Sequence, residues 1–263
     1  MSAQRKDTVE LAGQTYGRGG SPIVILHGLL GAGRNWTTIA KRLGEGHKVV
    51  TLDMRNHGSS PWADDMSYPL MAADVRAYIE NAALGPVTVI GHSMGGKTAM
   101  RLALEAPSLV ERLVVVDISP VDYDHSTGEY VDALRALDLE GLTSRNEVDA
   151  RLEADIPDAG IRAFLLQNLV RGDEGFLWRA NLDALSRAMP ELMAFPRREH
   201  DYYRGPTLFL SGAESTYVTS SHRPVIKELF GRADLRVIAD AGHWVHAEQP
   251  TAFLAHLQDF LSR

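Results

Sequence analysis

A serine among glycines gives the first indication of chemistry in this sequence. Residues 91–96 read Gly-His-Ser-Met-Gly-Gly, so the pattern Gly-x-Ser-x-Gly surrounds Ser93. An apolar run at 87–90 precedes it, and the segment 97–105 predicts a helix that ends before Pro107. Between a strand and a helix, this pattern favours a tight turn that pushes the serine hydroxyl out to where a substrate can reach it. The sequence therefore predicts Ser93 as a nucleophile.

A histidine near the C-terminus is the predicted general base. A serine hydroxyl is a poor nucleophile until a base removes its proton, and imidazole has a suitable pKa. Of the ten histidines, His243 directly follows the last predicted strand in a short Gly-His loop, at the sheet edge where Ser93 is expected. The order nucleophile, acid, histidine is also typical of such sites. His246 is interpreted as a packing or surface residue, and a metal site at these two histidines lacks further ligands, so we expect no metal.

Two carboxylates compete for the role of orienting His243. The predicted strand at 207–211 leads into a turn where an aspartate is usual, but Ser215 occupies that position and cannot stabilise an imidazolium as a carboxylate does. Asp117 ends the apolar strand that follows the serine turn, so its side chain is expected at the same sheet edge. We predict Asp117 as the acid, with Glu214 as the alternative.

Acyl transfer also needs hydrogen-bond donors for a developing oxyanion. The backbone NH of Met94 begins a predicted helix, whose dipole favours negative charge. A second donor is expected from Leu29, in the glycine-rich loop at 27–31 that directly follows the apolar run at 23–26. The sequence thus predicts an oxyanion hole formed by Leu29 and Met94. A further loop after the strand at 48–52 contains Asp53 and His57, which we interpret as residues that order the loop.

These candidates are separated by alternating apolar runs and amphipathic segments. Such alternation predicts an α/β fold with a mainly parallel central sheet and helices on both faces. The predicted strands lie at 23–26, 48–52, 87–90, 112–117, 207–211 and 235–239, and the predicted helices lie at 35–43, 71–83, 97–105 and 251–261.

The alternation stops between residues 121 and 204. No strong strand is evident there, and Ser144 to Glu147 fits a capping box that opens a helix. Further helices are expected at 161–169 and from Leu182 towards Met193. We interpret 121–204 as a helical cap inserted into a core domain formed by 1–120 and 205–263.

Composition excludes several classes of protein. The chain has 263 residues, 44% of them hydrophobic and 23% charged, which are ordinary globular values. A formal charge of −7 argues against a nucleic-acid partner. The absence of cysteine excludes disulfides and thiolate chemistry. Residues 1–10 are polar and no run reaches the length of a membrane span, so we expect a cytoplasmic protein, monomeric or homodimeric, that does not bind membranes.

Five motifs together resemble the YbfF-like bacterial esterases and their mitochondrial abhydrolase relatives, which have the α/β-hydrolase fold. The motifs occupy residues 27–31, 53–58, 91–97, 117–123 and 242–246. Those esterases resemble this chain in one further feature. They have a serine in the turn after the later strand, where an aspartate is usual, and a carboxylate at the end of the earlier strand. The corresponding residues here are Ser215 and Asp117. The resemblance implies a carboxylesterase or thioesterase that acts on short to medium acyl chains and needs no cofactor.

Pocket residues are predicted from their positions beside the catalytic loops. Leu30 and Trp36 lie next to these loops, whereas Tyr123, Trp178 and Trp244 are placed to approach the cleft from the cap and from the histidine loop. An apolar lining favours a small-molecule substrate with an acyl or aromatic group over a sugar or a phosphate.

Other functions are compatible with the same residues. One is a sensor that binds a small ligand and signals through movement of the cap. Others are an acyltransferase, a hydrolase of carbon–carbon bonds or a lyase that uses the same site. Haloalkane and epoxide hydrolysis are disfavoured because they need an aspartate nucleophile where this chain has Ser93.

Overall fold

A seven-stranded sheet forms the centre of the computed structural model, which describes residues 7–124 and 128–263. The predicted cap includes residues 125–127 and the polar N-terminal stretch includes 1–6, both outside the described residues. The strands of the sheet are β1 (Gly13–Tyr16), β2 (Ile23–Leu26), β3 (Val49–Leu52), β4 (Val87–His92), β5 (Val110–Val116), β8 (Thr207–Gly212) and β9 (Ala233–Ile238), and a separate hairpin comprises β6 (Leu169–Arg171) and β7 (Phe176–Trp178).

The sheet is mainly parallel, as the sequence predicts. Its strand order is β1-β3-β2-β4-β5-β8-β9, and only the edge strand β1 runs antiparallel to its neighbour. In the central register Leu26 lies opposite Gly91, and His92 lies opposite Val116. The loops that follow β2, β4 and β5 therefore emerge side by side at one edge.

Helices cover both faces of the sheet. They are α1 (Thr37–Leu43), α2 (Tyr68–Asn81), α3 (Met94–Glu105), α4 (Gly128–Ala136), α5 (Arg145–Leu152), α6 (Ala159–Leu165), α7 (Leu182–Met193), α8 (Arg223–Leu229), α9 (Val245–Glu248) and α10 (Pro250–Leu261). A helix is present at each predicted place, but the one predicted at 161–169 ends at Leu165, a short 3-10 helix follows at Leu166–Asn168, and Leu169 begins β6. Helices α4, α8 and α9 were not predicted. No helix within 7–124 and 128–263 is long and apolar enough to cross a membrane.

Side chains of the central strands pack alternately on the two faces. Val24 and Leu26 belong to the cluster on one face, while Ile23 and Ile25 belong to the cluster on the other, and all four are completely buried. A strand covered on both sides needs apolar residues at every position. This requirement explains why β2 is a continuous apolar run, Ile-Val-Ile-Leu.

The segment between β5 and β8, here called the insert, contains helices α4 to α7 and also the hairpin β6–β7. The hairpin corrects the expectation that this segment lacks strands: its strands have three residues each, too few to produce a period-two pattern. The end of α7 is joined to the core by Lys97, whose buried Nζ donates hydrogen bonds to Met193 O at 2.7 Å and to Ala194 O at 2.8 Å. Those carbonyls lie where the negative end of the α7 dipole favours a cation.

A buried ion pair fixes the loop after β3 to helix α2. Arg55 donates to both carboxylate oxygens of Asp74, from Nε at 2.7 Å and from Nη2 at 2.9 Å. The two side chains are 1% and 0% exposed. Arg55 also donates to the backbone carbonyl of Asp65 at 2.8 Å. Arg55 Nη2 donates as well to the backbone carbonyl of Asp7 at 3.0 Å. All three guanidinium nitrogens therefore have partners, and the pair ties three segments together.

Replacing Asp74 with alanine is expected to lower the free energy of unfolding by about 3 to 5 kcal/mol, since it leaves the Arg55 guanidinium buried without its counter-ion. The exposed pair Arg76–Glu80 on the same helix, with side chains 55% and 39% accessible, provides a control. Glu80→Ala should cost about 0.5 kcal/mol or less. Urea denaturation of the two variants measures the difference, and equal costs would contradict the role assigned to the Arg55–Asp74 pair.

Candidate active site

Ser93 lies on a strained turn between β4 and α3. Its backbone has φ 51° and ψ −119°, a conformation that non-glycine residues rarely adopt. The turn needs glycine on both sides: a Cβ at Gly91 would lie 2.2 Å from the carbonyl oxygen of Gly95, and one at Gly95 would lie 2.5 Å from that of Leu26. Ser93 N donates to Val116 O at 3.0 Å, which anchors the turn to β5. The structure thus places Ser93 on the predicted strand-turn-helix motif.

Asp117 lies directly after β5 and contacts the predicted base. Its side chain is completely buried, and Oδ2 accepts a hydrogen bond from His243 Nδ1 at 2.7 Å. Its other oxygen, Oδ1, accepts from Gly212 N at 3.1 Å. The backbone of Asp117 also has a positive φ, 50°. Two of the residues with left-handed backbone are therefore the candidate nucleophile and the candidate acid.

Ser215 occupies the position where an aspartate is usual and supports the carboxylate that contacts His243. Its hydroxyl donates to Asp117 Oδ2, and its Oγ accepts from Tyr217 N at 3.2 Å. Glu214, the alternative acid, is exposed, and its backbone NH donates to the carbonyl of Ala241 at 2.9 Å. Of the two carboxylates considered from the sequence, the structure brings Asp117 to His243.

His243 is held in place by one contact to the face of its ring and by another to its backbone carbonyl. Tyr217 stacks on it, with 4.2 Å between the ring centroids and 27° between the planes. His92 Nε2 donates to His243 O at 2.8 Å, which fixes the loop that carries the ring. The side chain of His243 is 16% exposed. These contacts leave Nδ1 directed at Asp117 and Nε2 available to the pocket.

The loop after β2 is held by two buried histidines. Leu30 has φ 58°, and its NH donates to His57 Nε2 at 3.1 Å. His57 Nδ1 in turn donates to Arg55 O at 2.9 Å. His27 Nε2 accepts from Met54 N at 2.9 Å, so each loop supports the other. The prediction that His57 orders this loop is confirmed.

The same loop is braced by a carboxylate of the core and by an amide of the insert. Asp53 accepts from Gly33 N at 2.7 Å and from Ser59 N at 2.8 Å, which also confirms its predicted loop-ordering role. From the insert, Asn168 Nδ2 donates to Leu30 O at 2.7 Å. The position of the insert and the position of the loop that carries Leu29 and Leu30 are therefore directly linked.

Two pockets meet at Ser93. The outer pocket spans about 560 Å³, open solvent at its mouth included, and its lining includes Leu29, Leu30, Trp36, Ser93, Phe164, His243 and Trp244. The inner pocket spans about 340 Å³ by the same measure, and its lining includes Leu29, Tyr68, Ser93, Met94, Lys97, Tyr123, Leu192 and Met193. The candidate nucleophile and the candidate base thus share the outer pocket, and both residues of the predicted oxyanion hole line the inner one.

The predicted pocket residues are distributed unequally. Leu30, Trp36 and Trp244 line the outer pocket, and Tyr123 lines the inner pocket. Trp178 lines neither of them: it lies on β7, opposite Leu169 of β6, and packs against the hydrophobic core. Its placement follows from the hairpin, which the sequence did not predict.

Sequence reasoning missed three residues that support the site. Lys97 stands four residues after Ser93 on the same helix, and its position on an otherwise buried helix face was a signal that could have indicated it. Asn168 contacts Leu30 across 138 residues of chain, and no local pattern could have revealed this contact. Tyr217 stacks on His243 from a loop whose course depends on the packed structure.

Comparisons with known proteins identify the family of this chain. A family model described as "alpha/beta hydrolase fold" matches residues 21–152. The chain belongs to the α/β-hydrolase fold family. The fold class predicted from the sequence, a mainly parallel sheet flanked by helices, is therefore confirmed.

Relatives of this α/β-hydrolase include proteins named as lipases and esterases. It is 43% identical over 248 residues to mouse "sn-1-specific diacylglycerol lipase ABHD11", covering 91% of this chain and 80% of the relative. It is 36% identical over 246 residues to "Esterase YbfF" of Escherichia coli, covering 92% and 93%. The solved structure "Marine microorganism esterase" matches with a TM-score of 0.94 and 39% identity, over 96% of this chain and all of the other. The predicted resemblance to YbfF-like esterases and their abhydrolase relatives is confirmed.

Buried histidines surround the site of this α/β-hydrolase and have strongly lowered pKa values. Burial, assisted by the charge of His27, lowers the pKa of His57 to about 3. Burial and the nearby His243 lower the pKa of His246 to about 3, where its ring stacks on Trp36 at 3.9 Å. Burial also brings the pKa of His92 well below its ordinary value. These rings are therefore neutral in the folded protein and act through hydrogen bonds and packing.

The lowered pKa values predict that stability falls on mild acidification. Below a pH of about 6.5 the unfolded chain binds protons that the folded protein excludes, so the free energy of unfolding decreases as the pH falls from about 6.5 towards about 3. The expected loss between pH 7 and pH 5 is roughly 1 to 2 kcal/mol for each such histidine.

Urea denaturation at pH 5, 6 and 7 measures this slope. His246→Gln should reduce the loss of unfolding free energy between pH 7 and pH 5 by the contribution of one buried histidine. The control His200→Gln should leave this loss unchanged, because the side chain of His200 is 89% exposed. A slope that is the same in all three proteins would contradict the neutral, buried state assigned to His246.

Proposed function

We propose that this chain is a serine carboxylesterase or thioesterase that hydrolyses short- to medium-chain acyl esters through an acyl-enzyme. The observation that carries the proposal is the contact of 2.7 Å between His243 Nδ1 and the buried Asp117 Oδ2, in a loop whose histidine shares a pocket with Ser93. The esterase and lipase names of the relatives support the same reaction class. The proposed substrate is a small molecule, and the proposed reaction uses no cofactor or metal.

In the proposed first step, His243 Nε2 takes the proton of the Ser93 hydroxyl while Oγ attacks the carbonyl carbon of the ester. The resulting imidazolium is stabilised by the ionised Asp117, which also fixes the tautomer with the proton on Nδ1. Ser215 and Gly212 keep this carboxylate in place by donating to its two oxygens. The carboxylate is thereby held ready for the charge that develops on the ring.

The negative charge of the tetrahedral intermediate falls on the former carbonyl oxygen. We assign its stabilisation to the backbone NH groups of Leu29 and Met94, with Met94 at the first turn of α3 where the helix dipole favours an anion. One such donor typically contributes about 3 to 4 kcal/mol to transition-state stabilisation. The hydrogen bonds from Leu30 to His57 and from Asn168 to Leu30 keep the Leu29 loop in a single position. The intermediate therefore meets donors that need no reorganisation.

Collapse of the intermediate breaks the bond to the alcohol or thiol, and His243 returns its proton to the leaving group. Water then attacks the acyl-enzyme with His243 again acting as base, which releases the acid and restores Ser93. We assign the insert as the cap that covers this reaction, because residues of α6 and of α7 line the two pockets around Ser93.

Hydrolysis of p-nitrophenyl esters graded from acetate to laurate tests the proposed activity. We expect the highest rates at a short or medium chain, and Ser93→Ala should abolish turnover because no other group can form the acyl-enzyme. Retained turnover in this variant would contradict the mechanism. Product analysis with an added alcohol distinguishes hydrolysis from acyl transfer, since a transferase would form a new ester instead of the free acid.

Substitutions of the two carboxylates test the assignment of the acid. Asp117→Asn should lower kcat by about 10²- to 10⁴-fold, because an amide neither stabilises the imidazolium nor enforces the required tautomer. The exposed Glu214 is the matched control, and Glu214→Gln should change kcat by about twofold or less. The opposite ranking would transfer the role of acid to Glu214.

A further inference from the structure

The two pockets that meet at Ser93 are lined by different residues of the proposed catalytic site. The outer pocket contains His243 and is bordered by Ile161 and Phe164 of the insert, which are partly exposed. The inner pocket contains Met94 and does not contain His243. An ester bound at Ser93 has two arms: the acyl arm, which carries the carbonyl group, and the alcohol arm, which leaves in the first half-reaction. The reaction dictates which pocket receives each arm.

From this arrangement we propose that the outer pocket binds the alcohol arm of the substrate and the inner pocket binds its acyl arm. The inference rests on the proposed function. In the first half-reaction the bond from Ser93 Oγ to the carbonyl carbon forms and the bond from that carbon to the leaving oxygen breaks. The proton that His243 took from Ser93 ends on the leaving oxygen, which becomes the alcohol. The leaving oxygen must therefore lie beside His243, and the alcohol arm must extend into the pocket that His243 lines.

The acyl arm must then occupy the pocket on the other side of Ser93. The carbonyl oxygen is directed to Leu29 and Met94, and both residues line the inner pocket. The carbon chain attached to the carbonyl must avoid His243 and the leaving group, so it extends away from the outer pocket. The inner pocket is the other space that borders Ser93, and Met193 also lines it, so we assign the acyl chain to this pocket.

The inner pocket has rigid walls. Tyr68 and Lys97 are 2% and 1% exposed, and Tyr123 is 9% exposed. The polar groups of these side chains donate hydrogen bonds to backbone carbonyls. Tyr68 donates to Leu192 O at 2.7 Å, Lys97 to Met193 O at 2.7 Å, and Tyr123 to Tyr217 O at 2.6 Å. Moving any of these side chains would break a buried hydrogen bond, which is costly. The inner pocket therefore limits the length of the acyl chain.

The outer pocket is larger, and its wall on the side of the insert and the histidine loop is less constrained. Ile161 and Phe164 lie on α6 of the insert, Trp244 lies on the histidine loop, and all three are partly exposed apolar side chains. Phe164 and Trp244 face each other, with ring centroids 5.8 Å apart. Such a surface accepts apolar groups of different shapes. The substrate class that fits both pockets is an ester of a short acyl chain with a bulkier apolar alcohol.

Matched substitutions in the two pockets test the assignment with two series of substrates. The acyl series keeps p-nitrophenol constant and lengthens the acid from acetate to octanoate. The alcohol series keeps butyrate constant and varies the alcohol from ethanol to hexanol and 1-naphthol. The measured quantity is the ratio of kcat/KM between long and short members of each series, which is independent of the amount of active enzyme.

Changes at Met193 should alter the acyl series alone. Met193→Ala enlarges the inner pocket and should raise the octanoate to butyrate ratio at least about tenfold, while Met193→Phe fills it and should lower that ratio by a similar factor. The ratio of naphthyl to ethyl butyrate should stay within about twofold of the wild-type value. Because the two substitutions act in opposite directions, a general loss of structure cannot imitate the result.

Changes at Phe164 should alter the alcohol series alone. Phe164→Ala should lower the naphthyl to ethyl ratio at least about tenfold and leave the octanoate to butyrate ratio within about twofold. Acyl selectivity that responds to Phe164, or alcohol selectivity that responds to Met193, would overturn the assignment of the pockets. A wild-type protein without any Ser93-dependent ester hydrolysis would instead refute the proposed function, and the pocket assignment with it.

Discussion

The strained backbone at Ser93 is the constraint on which the rest of this structure depends. A serine with φ 51° between a strand and a helix is retained only if the surroundings hold it there. Gly91 and Gly95 allow the close approach of the chain, and the hydrogen bond from Ser93 N to Val116 O fastens the turn to the neighbouring strand. Because β4 lies between β2 and β5, the loops that follow these two strands are brought to Ser93 from either side. The parallel sheet is thus the frame that assembles the site.

The location of the acid follows from the same frame. Asp117 emerges from β5, and its backbone NH donates to Leu210 O of β8 at 2.8 Å, so the proposed acid is fixed between two strands. Its carboxylate reaches His243 from one strand closer to the nucleophile than the usual position at the end of β8. Ser215 at that usual position donates to Asp117, which gives the carboxylate a third donor beside His243 and Gly212. These three donors fix the position and orientation of the carboxylate beside His243.

The core could be predicted from the sequence because its strands are buried on both faces and its turns need glycine. Ser93 and Asp117 each stand at the end of such a strand, so their proximity to His243 followed from the order of the sheet. The insert was less predictable, because helix α4 and the hairpin owe their structure to packing on the core rather than to a strong local pattern. For the same reason the position of Trp178 and the contact of Asn168 with the loop after β2 were accessible only from the folded chain.

Covalent labelling with a fluorophosphonate tests the central claim, that this geometry activates one serine, most directly. The reagent forms a stable phosphonate ester with a serine that a neighbouring base activates, and peptide mass spectrometry identifies the labelled residue. The account predicts a single adduct on Ser93 and labelling at least about a hundredfold slower in His243→Gln. An adduct on another serine such as Ser119 or Ser215, or labelling of Ser93 at an unchanged rate without His243, would contradict it.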